Sequence, residues 1–378
     1  MKIAFVTDTH FGYRRFEQDA YSQGKQAILD AASEADAIIL GGDNFDTPLP
    51  RMETLSQVTG ILREAQSIHA SRGITGVQVF AIHGNHDRRA KGFVHPTELL
   101  AHGGFLVNVH NRTVVVEGRE GPVAISGMGN VPDDLASEAV KHLECKPVEG
   151  AFNIFVLHQT FRETGFGNES FISYDELPEG YDLYLCGHIH KPSLGGKVQN
   201  PGSTVATILH EDEAGQRGWL LYDTDLKKAE FRQINSREFH YSALTFENAT
   251  PEDVRSGAEA EAKRLAALAK SPSALVKVVV KGTLAKGFSP SDMRLPAQAD
   301  GVYFDNQMNF ESLKGKIEQI KITRERKLSA QQQGMEILRR KLEGTPYTLG
   351  DPERLFESLL EGSALAEIRE NIAKEPAK

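Results

Sequence analysis

Cysteine is close to absent, with Cys145 and Cys186 the only two in 378 residues. That excludes a disulfide framework and fits a reducing compartment. Long apolar runs are missing too, so no membrane-spanning helix is expected. The stretch Met1 to His10 holds an apolar run of only four residues, too short for a signal segment. Positive charge is in deficit, since 43 Lys and Arg stand against 52 Asp and Glu, a net charge of −9. Binding to nucleic acid therefore cannot rest on overall charge and needs a local basic patch or bound cations. The rest of the composition, 40% hydrophobic and 25% charged, excludes a mainly disordered or collagen-like chain. Length favours two or three structural units. The expectation is a cytoplasmic protein with no membrane segment.

Short runs rich in Ile, Val, Leu and Phe read as buried strands at Lys2–Thr7, Ala37–Gly41, Val77–His83, Asn153–His158 and Asp182–Cys186. Between them, Asp19–Ala35 and Met52–Ala70 carry apolar residues at helical spacing. Strand–helix–strand repetition implies an α/β class. Hairpin-like runs at Thr113–Glu117, Val123–Met128, Gly218–Asp223 and Glu230–Ile234 predict mixed sheets. Beyond them a small α+β unit is expected, with strands at Tyr241–Phe246 and Ala274–Lys281 around a helix opening at Pro251. The expected division is 1–234, 235–305 and 306–378.

Five motifs close predicted strands: Asp8-Thr9-His10, Gly41-Gly42-Asp43-Asn44, Gly84-Asn85-His86-Asp87, His158, and Gly187-His188-Ile189-His190. Open α/β sheets bind ligands just past the C-terminal ends of their strands. On extended segments, Asp8 with His10 and His188 with His190 would each point to one side. Aspartate, asparagine and histidine without thiolate favour a borderline divalent ion such as Mn, Fe or Zn. Seven donors, namely Asp8, His10, Asp43, Asn85, His158, His188 and His190, are too many for one ion with an open position. With a bridging carboxylate they divide into two sites, able to clamp the oxygens of a phosphoryl displacement. Each motif alone is commonplace; all five in this order are not.

This order resembles the calcineurin-like metallophosphoesterase family. The resemblance implies a sandwich of two mixed β-sheets flanked by helices, and a dinuclear site hydrolysing phosphate esters. By motif, one ion would take Asp8, His10, Asp43 and His190, and the other Asn85, His158 and His188, with Asp43 bridging. His86 would be the non-ligand histidine that stabilises charge or protonates the leaving oxygen, and Asp87 would orient it. The run Gly42-Asp43-Asn44-Phe45-Asp46-Thr47 lacks the Arg-Gly of protein phosphatases. It is similar instead to the double-strand-break repair nucleases, SbcD and its archaeal and eukaryotic counterparts of the meiotic-recombination-eleven type. His158-Gln159, Arg162-Glu163, Leu177-Pro178-Glu179-Gly180-Tyr181 and Asn200-Pro201-Gly202-Ser203 also match that branch. Asp46 departs from archaeal members that place a histidine there.

The resemblance implies a DNA nuclease subunit in break repair, using two divalent ions, manganese first, and working as a homodimer with an SMC-like coiled-coil ATPase near the nucleoid. Residues 235–305 would form a cap governing DNA access. Arg14, Arg15, Arg51, Arg88, Arg89 and Lys91 follow the motif strands closely and are candidates for flanking DNA phosphates. In the tail, the basic, glutamine-rich stretch Arg324–Lys341 reads as a tether. A helix opening at Asp351-Pro352 then carries the stripe Leu355, Phe356, Leu359 and Leu360, expected to dock on the ATPase. Two alternatives stay open: a small-molecule or cyclic-nucleotide phosphodiesterase, and an inactive scaffold binding DNA or a partner.

Overall fold

Alternation of apolar side chains builds the core of this protein, seen here in a computed structural model describing residues 1–90, 92–164, 171–285, 287–288, 292–297 and 301–308. The strands are β1 (Lys2–Val6), β2 (Ala37–Gly41), β3 (Val79–Ile82), β4 (Val107–Asn108), β5 (Thr113–Gly118), β6 (Gly121–Met128) and β7 (Phe152–His158). They continue with β8 (Leu183–Gly187), β9 (Val198–Gln199), β10 (Gly218–Asp223), β11 (Lys228–Gln233), β12 (Phe239–Ala249), β13 (Leu275–Leu284) and β14 (Val302–Met308). The helices are α1 (Glu17–Glu34), α2 (Met52–Ser71), α3 (Pro96–His102), α4 (Asp133–Lys141) and α5 (Pro251–Leu268). Among the described residues, no helix is long and apolar enough to cross a membrane.

One sheet runs β11-β10-β1-β2-β3-β4 and a second β5-β6-β7-β8-β9. β1, β2, β3 and β4 are parallel, while β10 joins β1 antiparallel. In the second sheet β6 to β9 are parallel and β5 is antiparallel. The mixed sheets expected from sequence are thus present. Because a strand repeats every two residues, Ile3 and Phe5 face the second sheet while Ala4 and Val6 face helices. Ile3, Phe5, Ile39, Phe80 and Ile82 meet Ile125, Ile154, Val156 and Leu185 between the sheets. Helices α1 and α2 cover the outer face of the first sheet through Ile28, Val58, Ile61 and Leu62. Helix α4 lies over the second with Ala136 and Val140 against Phe155 and Leu157. Helix α3 was not read from the sequence, having only seven residues and resting on a His95–Glu98 capping box. Strands β4 and β9, at two residues each, are too short for any periodicity.

A third sheet runs β12-β13-β14. Its strand β14 escaped the sequence reading because Asp305 and Asn306 break a strand-like composition. Phe239 and Leu275 pack with Phe16, Ala206 and Leu209, flanked by Tyr13, Tyr241 and Tyr303. The described chain divides into two units, Met1–Leu244 with Val254–Val279 and the described part of 295–305, and Thr245–Asp253 with the described parts of 280–294 and 306–308. The tail residues Leu355, Phe356, Leu359 and Leu360 lie outside the described residues.

Trp219 is 1% exposed in the cluster beneath α1 and α2. Trp219→Ala should cost about 3–5 kcal/mol of stability, since surrounding side chains only partly fill such a void. Urea unfolding of the two proteins measures the difference.

Candidate metal centre

Because β1, β2 and β3 are parallel in one sheet, and β7 and β8 in the other, their C-terminal loops gather at one end of the sandwich. The loops after β1 and β2 are stitched together by Asp8 N–H to Gly42 O at 3.1 Å, His10 N–H to Asp43 O at 3.0 Å and Phe11 N–H to Asn44 O at 3.0 Å. The buried pair Phe11 and Phe45 anchors them from below. Asp8, His10, Asp43 and His188 all have left-handed backbone, with φ of 53°, 45°, 46° and 86°. The extended geometry expected for the D-x-H and H-x-H motifs is therefore corrected: the chain curls as it leaves each strand. Such backbone persists only where the surroundings over-determine it, and it clusters at functional sites. Gly84 is needed for clearance, because a Cβ there would sit 2.1 Å from Asp43 Oδ1.

Asp43 lies at the centre. Its Oδ1 accepts the His86 N–H at 2.8 Å, and its Oδ2 faces His158 Nε2 at 3.4 Å and His10 Nε2 at 3.9 Å. On one side, Asp8 Oδ1 stands 3.6 Å from His190 Nε2, which is 3.2 Å from His10 Nε2. On the other, Asn85 Oδ1 lies 3.1 Å from His158 Nε2 and 2.9 Å from His188 Nδ1. Asp8, His10 and His190 could hold a metal ion together, as could Asp43, His158 and His188. All seven expected donors thus converge on one place.

Burial opposes ionisation of Asp43, but His158 and His10 beside it hold its carboxyl well below the usual range. Burial likewise disfavours a charged His158, yet Asp43 and Asp8 lift it to about 9. His188, half-buried and next to His158, is pushed down to about 4. His10 Nδ1 lies 3.2 Å from Asp46 Oδ1, and His190 Nδ1 lies 2.5 Å from Glu213 Oε1. With those nitrogens protonated, two Nε2 lone pairs would face each other at 3.2 Å. A cation between them relieves that repulsion, and these residues fit a divalent metal.

His86 also lies close enough to His10 and Asp43 to share an ion. A hydrogen bond to Asp46, outweighing burial, raises it to about 9. Its Nδ1 lies 3.2 Å from Asp46 O and 3.5 Å from Asp46 Oδ1. Asp87 does not orient it. That expectation is corrected, because Asp87 is fully buried and accepts the N–H groups of Gly84 at 2.6 Å and Asn44 at 3.1 Å. The carboxylate that steadies His86 is Asp46. Glu213 is the other acid that the motifs missed, since nothing in the sequence links a glutamate 23 residues downstream to His190.

A sequence profile described as calcineurin-like phosphoesterase matches residues 1–192. The chain belongs to that family. Among its relatives, the DNA double-strand break repair protein Mre11 of Methanopyrus kandleri is 27% identical over 271 residues, 63% of this chain and 58% of that protein. The double-strand break repair protein mre-11 of Caenorhabditis elegans is 28% identical over 58% of this chain and 39% of its own length. The MRE11 of Mus musculus is 29% identical over 56% of this chain and 38% of its own length. The chain thus matches from about two fifths to under two thirds of these relatives' lengths. The resemblance read from the motifs, to this phosphoesterase family and its Mre11 members, is borne out.

The basic candidates fare unevenly. Arg51 pairs with Glu17, Arg15 stacks on Tyr303 at 4.5 Å, and Arg89 bonds Val94 O while stacking on Phe93 at 4.8 Å. These three guanidinium groups already have partners within the protein. Arg14 is exposed and Arg88 half-buried beside the loop of Asn85, and Lys91 lies outside the described residues.

Asp87→Ala would strip the acceptor from three buried backbone N–H groups, those of Gly84, Asn44 and, at 3.5 Å, Phe45, at up to about 1–3 kcal/mol each. It should lower the melting temperature and loosen the loop that carries Asn85. His86→Ala should lower the melting temperature less, since that ring is 45% exposed and its ion pair is screened by solvent. Calorimetry of both variants tests the contrast.

Proposed function

We propose that this phosphoesterase is a metal-dependent DNA nuclease subunit of double-strand-break repair, cleaving phosphodiesters with two divalent ions. The observation that carries the reading is the convergence of seven donors around the carboxylate of Asp43, in a chain whose relatives are named break-repair proteins. Asp8, His10, Asp43 and His190 would hold one ion, and Asp43, Asn85, His158 and His188 the other; the donor set accepts Mn, Fe or Zn, and the family resemblance puts manganese first. Bound there, divalent ions supply charge neutralisation at the phosphoryl oxygens and acidify a coordinated water.

The chain's own residues do the rest. Asp46 holds the ring of His86 through Nδ1. His86, protonated at neutral pH, gives its proton to the departing sugar oxygen. Asp43 receives the backbone N–H of that same residue, so donor and ligand share one loop. Residues 235–305 act as a cap over DNA, and Arg14 and Arg88 are the basic side chains best suited to flanking phosphates. Residues 306–378 dock an SMC-like coiled-coil ATPase through Leu355, Phe356, Leu359 and Leu360, and the nuclease works as a homodimer at the nucleoid. The chain beyond residue 234 favours this reading over a compact cyclic-nucleotide phosphodiesterase, which needs no such additions.

His86→Ala should keep both ions yet lower kcat on linear duplex DNA by roughly 10²–10⁴-fold, the usual contribution of a general acid. Asp43→Ala should lose both ions, and Asn85→Ala chiefly one. Manganese content by mass spectrometry, read beside the cleavage rate, separates these outcomes. Loss of metal from the His86 variant would count against the proposed division of labour.

For the tail, Phe356→Glu should abolish co-purification with the ATPase while hydrolysis of a small chromogenic phosphodiester stays unchanged. Retained co-purification would refute docking through this stripe.

A further inference from the structure

The four histidines of the site are not backed alike. His158 Nδ1 bonds the Gly41 carbonyl at 2.8 Å, and His188 Nδ1 bonds the Asn85 side-chain oxygen at 2.9 Å. His10 and His190 have carboxylates behind them, Asp46 at 3.2 Å and Glu213 at 2.5 Å. Glu213 is the more deeply set, only 5% exposed, in a segment with no recognisable motif.

Glu213 is itself locked in place. Its Oε1 accepts the Thr207 hydroxyl at 3.0 Å, and its Oε2 accepts the N–H groups of Thr207 at 2.7 Å and Ile208 at 3.1 Å. The Thr207 hydroxyl lies 3.1 Å from His190 Nδ1, on the same edge of the ring. Arg217, 4% exposed, places Nη2 3.8 Å from Glu213 Oε2 and donates to Glu213 O, Ser203 O and Val205 O. A carboxylate fixed by this many donors cannot swing away from the imidazole. It accepts only, so the proton of a neutral His190 must sit on Nδ1 and its lone pair on Nε2, facing Asp8 and His10.

We propose that Glu213 is a positioning residue acting through His190, setting its tautomer and ring angle so that the ion site of Asp8 and His10 depends on Glu213 while the site of Asn85, His158 and His188 does not. The inference rests on the two-ion reading above and adds that the two sites are controlled from different parts of the chain. A purely structural role, in which Glu213 only neutralises the buried Arg217, would alter stability and leave the tautomer alone.

The test uses the full chain. Imidazole nitrogen NMR on metal-free protein, at an alkaline pH where an ordinary imidazole is neutral, reports which nitrogen of His190 carries the proton. The expected result is Nδ1–H in the wild type, and a mixture in Glu213→Gln, whose amide can also donate to Nδ1 and so move the proton to the ligand atom. In manganese titrations by calorimetry, Glu213→Gln should weaken one of two sites by roughly 10–100-fold and leave the other unchanged. Thr207→Val, which keeps Glu213 and Arg217, should weaken the same site by a smaller factor. An Nε2–H tautomer in the wild type overturns the proposal, as do manganese constants in Glu213→Gln within twofold of wild type. If Glu213→Gln fails to fold, the wild-type tautomer and the Thr207 variant still decide. A wild type that takes up one ion only refutes the two-ion reading instead, and the tautomer measurement still judges Glu213.

Discussion

Two carboxylates almost out of reach of water, Asp8 at 0% exposure and Asp43 at 2%, set the terms for the rest of the molecule. Removing an ion of that size from water costs several kcal/mol unless charge and hydrogen bonds replace the lost hydration. Thr7 Oγ1 and the His188 N–H donate to Asp8, and the His86 N–H donates to Asp43. What these leave uncompensated is met by histidines on every side and, in the proposed working state, by cations. The left-handed backbone at Asp8 and Asp43 is accepted because the stitched loops allow no other path.

The sandwich makes that burial possible. Parallel strands from two sheets end at one edge, so loops distant in sequence can each contribute one or two donors. The apolar layers beneath are close-packed, and Phe11 and Phe45 tie the loops to them. A loop raised on such a base holds its side chains more narrowly than a free loop could, and a polar constellation needs that precision.

Around the donors lies a second set of acids with divided duties. Asp46 serves two rings at once, His10 and the exposed His86, so a proposed ligand and the proposed proton donor lean on one side chain. Its own carboxyl is held low by those hydrogen bonds in spite of partial burial. Glu213, lowered to about 2 by His190 and Arg217 against its burial, serves only one ring. Asp87 supports backbone instead, and burial with Asp43 nearby pushes it up to about 7.

Most of the frame was legible in the sequence, because strand and helix periodicities are local and the buried runs are long enough to display them. Expected strands matched the observed ones to within a few residues, as at Ala37–Gly41 and Gly218–Asp223. The cluster of seven candidate donors was legible as well, since each lies in or just past the change from an apolar strand to a polar loop. Tertiary structure alone decided which acid stands behind which histidine. Asp87 adjoins His86 in sequence, yet successive side chains diverge and its carboxylate turns inward to the backbone, while Asp46 arrives from the loop after β2. Glu213 reaches His190 only because the loop before β10 folds back over the motif strands, a contact with no sequence period to announce it.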